Sequence, residues 1–268
     1  MNKIKIDTSK REKRENIKFH IILIIISILF LVPLISMVSI SLRGQGFANY
    51  VKVFADVKVP KYFLNSIIIT VPTVFLVIFI SSLAAFAFSK LKMSGKNVVF
   101  YIFLCGLMLP VASIIVQLFI MIVKFKLINN YLAVILPLTA LILPFGLLIF
   151  KNYMDDIPND ILEASLIDGC TPFSTYFRVV LPLSLPALSA VTIFAFLFSW
   201  NEFMLPLVFF RKNELFPITL LPRYFLAEHQ FKLSLVFAGF TGIVLPVLIL
   251  YIILQKYFIE GLTAGAIK

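Results

Sequence analysis

Long apolar runs separated by polar breaks organise this chain. They occupy residues 19–40, 66–89, 98–123, 131–150, 183 to about 205, and 233–254. A helix rising 1.5 Å per residue needs about 20 apolar residues to cross the roughly 30 Å hydrocarbon layer. Each run is long enough, and Glu202 is the one acidic residue inside any of them. The first run is too long for a signal-peptide core and no small-residue cleavage site follows it, so it too is predicted as a span. The pattern therefore predicts an all-α polytopic membrane protein with six transmembrane helices. Prolines 33, 72, 110, 137, 144, 186 and 246 fall inside these runs. Membrane helices accommodate proline where neighbours satisfy the freed carbonyl, and such bends either serve packing or line a pathway.

Composition agrees. Of the 268 residues, 61% are hydrophobic and 14% charged, with a mean hydropathy of +1.03. A soluble domain carries roughly 45–50% apolar and about 25% charged residues. No internal repeat is visible. The chain divides into a short, disordered-looking basic arm, 1–18, and one six-helix membrane domain, 19–268.

The net charge of +11 is concentrated in the arm, at Lys3, Lys5, Lys10, Arg11, Lys13, Arg14 and Lys18. Such a cluster before a span is a topogenic, headgroup-facing segment on the cytoplasmic side, and nucleic acid is not an expected partner. Six spans then put both termini in the cytoplasm. Beyond the arm the bias is weak or reversed, because the outer segments would carry Arg43, Lys52, Lys58, Lys61, Lys124, Lys126, Arg211, Lys212, Arg223 and Lys232.

Candidate catalytic chemistry is missing from the sequence. Cys105, Cys170, His20 and His229 are isolated, which supports neither a disulfide, a metal site nor a catalytic group. No phosphate-binding glycine loop occurs, so the chain is not expected to hydrolyse ATP or to bind a cofactor of its own.

The polar break at 151–182 is too long for a simple connection, and it holds Asp155, Asp156, Asp160, Glu163 and Asp168. It reads as two short helices around Gly169. Asp156 is the expected cap of the first, with Pro158 in its first turn, and Gly169 its left-handed stop. Thr171-Pro172 starts the second, and Pro182 opens the next span. Helical spacing puts Ile157, Ile161, Ala164, Ser165 and Asp168 on one face, which lacks the aromatic and lysine anchors of a headgroup-lying helix. Docking on a cytoplasmic protein fits better.

Glu163-Ala164-Ser165, three residues, Gly169, nine residues, then Val179-Val180-Leu181-Pro182 resembles the EAA motif of ABC importer permeases. Ser165 stands where the family has alanine and Val179 where it has isoleucine. Asp168 before Gly169, Trp200-Asn201-Glu202-Phe203, and the tail from Gln255 to Ala266 resemble the carbohydrate-uptake branch, specifically the smaller six-helix permease of maltose-type transporters. The resemblance implies a bacterial plasma-membrane permease for mono-, di- or oligosaccharides or related polyols, paired with a second permease as a heterodimer. It further implies two cytoplasmic ATPase subunits that use ATP and magnesium, and an extracellular or periplasmic sugar-binding protein. Glu163, Ala164, Ser165, Asp168, Gly169, Leu181 and Pro182 would couple to the ATPase.

Trp200, Asn201 and Glu202 are the candidate substrate-pathway residues. Each has a second reading: Trp200 as an interface anchor, Asn201 as a bond to a neighbouring helix, Glu202 as an interfacial carboxylate. The outer segment with Tyr224, His229 and Gln230 would face the binding protein. The competing reading is an ion-coupled secondary transporter. That would be expected to bring paired buried carboxylates or discontinuous helices, and would leave 151–182 without a purpose.

Overall fold

The computed structural model describes the backbone of residues 2–55, 58–221, 223 and 232–266, with side chains placed within 17–55, 59–221, 223, 232–249 and 251–253. Tyr224, His229 and Gln230, and the tail side chains from Gln255 onward, lie outside the described residues. Within them the chain is helical and contains no strand. The elements are α1 (Asn2–Ser41), α2 (Ala48–Ala55), α3 (Lys58–Lys90), α4 (Lys96–Cys105), α5 (Val111–Lys124), α6 (Leu132–Asp155), α7 (Asn159–Ile167), α8 (Pro172–Thr175), α9 (Leu181–Leu183), α10 (Leu185–Trp200), α11 (Met204–Phe209) and α12 (Leu233–Ala266).

Five stretches are long and apolar enough to cross a bilayer as they stand: 17–41, 59–90, 132–155, 185–209 and 233–253. The third apolar run differs from the single helix expected. It forms α4 and α5, whose axes meet at 101°. The break follows from the sequence. Pro110 disfavours helix in the residue before it, and Leu109 is extended (φ −86°, ψ 108°). Gly106, just ahead, lets the bend settle on α6, where an added Cβ would come within 3.1 Å of Pro144 Cγ. Counted together, the bent pair is the sixth span.

The basic arm, expected to be disordered-looking, continues α1 without interruption from Asn2. It contains neither glycine nor proline, and its lysines, arginines and glutamates favour helix.

At the centre, α3 and α6 pack side by side in the same direction. Tyr131, at the start of α6, donates to Asn65 Oδ1 near the start of α3 (2.7 Å), while Lys90 at the end of α3 donates to the Ile157 carbonyl just past α6 (2.6 Å). Small residues set this contact: a Cβ on Gly146 would lie 2.7 Å from Ser81 Oγ. Close approach through small residues is how membrane helices gain packing energy without a hydrophobic drive. The hydroxyls of Thr73, Ser81 and Ser82 donate back to the carbonyls of Ile69, Val77 and Ile78, which removes their polarity from the helix surface. Antiparallel α10 packs on both helices, and α12 packs on α10. By contrast α1 packs on α12, outside the α3–α6–α10 centre, and Phe19, Leu23, Leu29 and Phe30 are exposed. A solvent of hydrocarbon, not water, suits that surface.

The end remote from 151–182 is closed by a polar lattice. Asn65 Nδ2 donates to the carbonyls of Glu214 and Phe216 (2.8 and 2.9 Å), and Ser66 Oγ accepts from Ile218 N (2.9 Å). Asn129 Oδ1 accepts from Arg211 N and Lys212 N (2.7 and 3.1 Å). This fixes the loop 210–221 across the mouth of α3 and α6, with its own Phe210, Phe216, Ile218 and Leu220 buried.

Gly146→Val is expected to destabilise the bundle by about 1–3 kcal/mol through overpacking against Ser81. The check is the midpoint of detergent-induced unfolding, compared with Val71→Ala at an exposed position of α3.

Candidate functional site

The segment 151–182 is a braced structure built from short helices. Its first helix is not capped as the sequence suggests: α6 runs on to Asp155, Asp156 becomes its C-cap, and Pro158 occupies the N-cap of α7 without a side-chain bond. The correction is physical, because residues 151–155 continue α6 with ordinary backbone bonds before Pro158 can interrupt them. The far end behaves as expected. Gly169 takes φ +81°, Cys170 N donates to Ser165 O (2.9 Å) and Gly169 N to Leu166 O (3.0 Å). This is a Schellman closure, and it turns the chain sharply into Thr171. Thr171 Oγ1 then accepts from Ser174 N (3.2 Å), with Pro172 in the first turn of α8.

Between α8 and α9 the chain forms one π-helical turn, Tyr176–Val180. Helix resumes at Leu181–Leu183, Ser184 caps the break with its hydroxyl on the Val180 carbonyl (2.8 Å), and α10 enters the bundle. Such turns recur at functional sites. Here it aims two adjacent buried side chains in different directions. Thr175 Oγ1 lies 2.9 Å from Ser165 Oγ on α7, and Tyr176 OH lies 2.6 Å from Ser82 Oγ on α3. The single hydrogens of Ser165 and Ser82 already go to the carbonyls of Leu162 and Ile78, so Thr175 and Tyr176 are the donors. Burial pushes the Tyr176 phenol up, which keeps it a donor across the physiological range. At the other end of α7, Lys90 Nζ donates to Ile157 O (2.6 Å) and to Asn159 Oδ1 (3.3 Å).

These bonds divide the face that spacing alone had united. Ile157 and Ser165 turn inward and are buried, whereas Ile161, Ala164 and Asp168 face out with Asp160 and Glu163. The outward surface is also apolar: Leu166 and Phe173 are exposed, and Ile167 is 86% exposed. No other described residue of the subunit covers it. Leu181 is half-buried and Pro182 exposed at the root of α10.

The second group of candidates separates. Trp200 is no interface anchor: it is 2% exposed, stacked on Phe196 at 5.4 Å, met edge-on by Phe63, and bonded through Nε1 to Ile243 O (2.9 Å). Asn201 is exposed and donates within its own helix, to Leu197 O (2.8 Å). Glu202 is half-buried and accepts from Leu205 N (2.8 Å), so it starts α11 after the break in the fifth span. The same carboxylate lines a cavity of about 210 Å³ with Gly106, Leu107, Leu109 and Phe145, at the bend between α4 and α5.

Residues 62–263 match the family described as the binding-protein-dependent transport system inner membrane component. The chain belongs to this family. As such a permease it is a transport subunit of a multi-pass membrane system, and the secondary-transporter reading has no support. It is 34% identical to the arabinooligosaccharides transport system permease protein AraQ of Halalkalibacterium halodurans, over 82% of this chain and 78% of that protein. It is 36% identical to the trehalose/maltose transport system permease protein MalG of Thermococcus litoralis, over 82% and 80%. It is 29% identical to the diacetylchitobiose uptake system permease protein NgcG of Streptomyces coelicolor, over 93% and 88%. In fold it is similar to a chain in the crystal structure of a bacterial ABC transporter involved in the import of the acidic polysaccharide alginate. That match has a TM-score of 0.74 and 22% identity, and covers 91% of this chain and 96% of that one.

Sequence reasoning missed the permease's internal ties. Ser82, Tyr176 and Lys90 carried no motif of their own; Tyr176 and Lys90 lie in or beside polar breaks, but Ser82 sits beside Ser81 inside an apolar run.

Gly169→Ala, forced to keep a left-handed backbone, should weaken the α7–α8 turn by about 1–2 kcal/mol. Thr171→Ala should cost about 1 kcal/mol through the lost cap. Both are checked as faster amide exchange confined to residues 159–176 in the detergent-solubilised protein.

Proposed function

We propose that this permease is one half of the translocation pathway of a sugar importer, and that 151–182 is the lever through which a separate ATPase works it. The supporting observation is the uncovered apolar and acidic face of α7, carrying Glu163, Ala164 and Asp168 on a loop braced from behind. Large exposed apolar residues at the tip of a rigid element mark a protein contact.

Under this reading the end bearing the loop is cytoplasmic, both termini lie on that side, and the remote end faces the binding protein. Each permease of a heterodimer seats its coupling helix on one of two ATPase subunits, which consume ATP with magnesium. Gly169 sets the turn that presents α7, Ser165 braces it, and Leu181-Pro182 joins the loop to α10. A two-state core responds to a partner only through the difference in docking free energy between its states. A rigid lever preserves that difference instead of losing it in loop motion. For the substrate, the names of several relatives point to oligosaccharides. Glu202, at the cavity beside the α4–α5 bend, is the pathway residue; Asn201, exposed beside it, is the second candidate. Trp200 supports them from within the bundle.

Glu163→Lys and Ile167→Asp should leave membrane insertion unchanged and reduce recovery of the ATPase with the affinity-tagged permease by at least tenfold. Uptake of radiolabelled oligosaccharide by proteoliposomes should fall with it. Full recovery of ATPase and normal uptake by both variants would exclude the lever.

A further inference from the structure

The polar contacts that leave the coupling loop converge on one helix. The contacts that hold the middle of the remote loop, 214–218, start from the same helix, while Asn129 and the Glu202 carbonyl hold its flanks at 211–212 and Thr219. At the near end, Tyr176 bonds Ser82 and Lys90 bonds Ile157 and Asn159. At the far end, Asn65 holds Glu214 and Phe216 and Ser66 holds Ile218. Ser82, Lys90, Asn65 and Ser66 all belong to α3, a helix of 33 residues. At 1.5 Å per residue it is about 50 Å long, enough to reach past the hydrocarbon layer on both sides.

We propose that α3 is a rod that moves the remote loop 210–221 in step with α7, gripped near one end by Tyr176 and Lys90 and at the other by Asn65 and Ser66. This rests on the lever reading above and specifies where the motion enters the membrane.

Three features suit α3 to the task. Its near-end grip has two points that are both needed, with the chain held ahead of α7 through Ile157 and Asn159 and beyond it through Tyr176, itself next to the Thr175 that bonds Ser165. Displacing α7 therefore translates the helix end rather than swivelling about one bond. Its flank is locked to α6 by the Ser81–Gly146 contact, so the two helices move as a unit. Its far-end bonds go to main-chain carbonyls and an amide of 214–218, so they seize the loop's backbone, whatever side chains it presents. Buried polar bonds of this kind have no water to replace them when broken, which makes them discrete links. Tyr176 and Ser82 are thus positioning residues; neither need touch the substrate or the ATPase.

The test uses the complex purified with its second permease and ATPase, in a background where Cys105 and Cys170 are serine. A bimane fluorophore is attached at Glu214→Cys, on an exposed side chain of the remote loop. Trapping the ATPase with magnesium, ATP and vanadate should shift the emission. Tyr176→Phe and Ser82→Ala should each reduce that shift at least threefold while ATP hydrolysis continues, and the double variant should lose no more than either alone. Asn65→Ala should reduce it equally from the other end.

A full shift in the single variants, additive losses in the double, or no shift in the parent complex despite hydrolysis would each overturn the rod. Failure of both Tyr176→Phe and Ser82→Ala to assemble would also overturn it, by assigning their bond to folding. Absence of any co-purifying ATPase would instead overturn the lever reading on which it rests.

Discussion

Hydrocarbon cannot hydrogen-bond a peptide group, so inside the bilayer the backbone must stay helical wherever protein or a cavity does not shelter it. That constraint locates the interesting parts of this permease. Among the described residues the spans leave regular helix at two internal places, the extended Leu109-Pro110 between α4 and α5 and the 201–203 break ahead of α11. The two breaks adjoin. Residues from both, Leu109 and Glu202, line the same cavity. Irregular backbone at membrane depth is therefore concentrated beside an opening, where it is tolerated and where a solute could be met.

The same constraint explains how polarity is handled elsewhere. The hydroxyls of Thr73, Ser81 and Ser82 inside α3 donate to their own helix, while the groups that reach across to other elements sit toward its ends: Asn65 and Ser66 at one, Ser82 and Lys90 toward the other. Packing in the middle is left to small residues such as Gly146. The bundle is held firmly at both rims and is smooth between them. Such an arrangement favours rigid-body displacement over internal rearrangement.

Much of this was legible in the chain itself. Apolar run length located every span, because the thickness of hydrocarbon fixes how many residues a helix needs. Gly169 and Thr171 were readable because a positive φ and a cap have strong residue preferences. What misled were features set by tertiary context. Helical spacing put Ser165 on the outward face, but a hydroxyl with Thr175 within reach turns in. Of the two readings open for Trp200, pathway residue and anchor at the lipid boundary, the second fails because α12 provides a carbonyl for its indole and Phe196 a surface for its ring. Pro110 was recognisable as a bend, but its size depends on Gly106 meeting Pro144, which lies in a different span. The bond between Tyr176 and Ser82 joins residues far apart in sequence, and no local pattern could announce it.

The uncovered side of α7 has a consequence for the cell that makes this protein. Ile167 and Phe173 are exposed on the polar segment 151–182, so, under the lever reading proposed above, a copy without its ATPase would present grease to water. Orphan molecules would stick to one another or attract proteolysis, whereas assembled ones would be shielded. Abundance of the permease would then be set after translation by how much of its companion is present, which makes the exposed face a stoichiometry check as well as a contact.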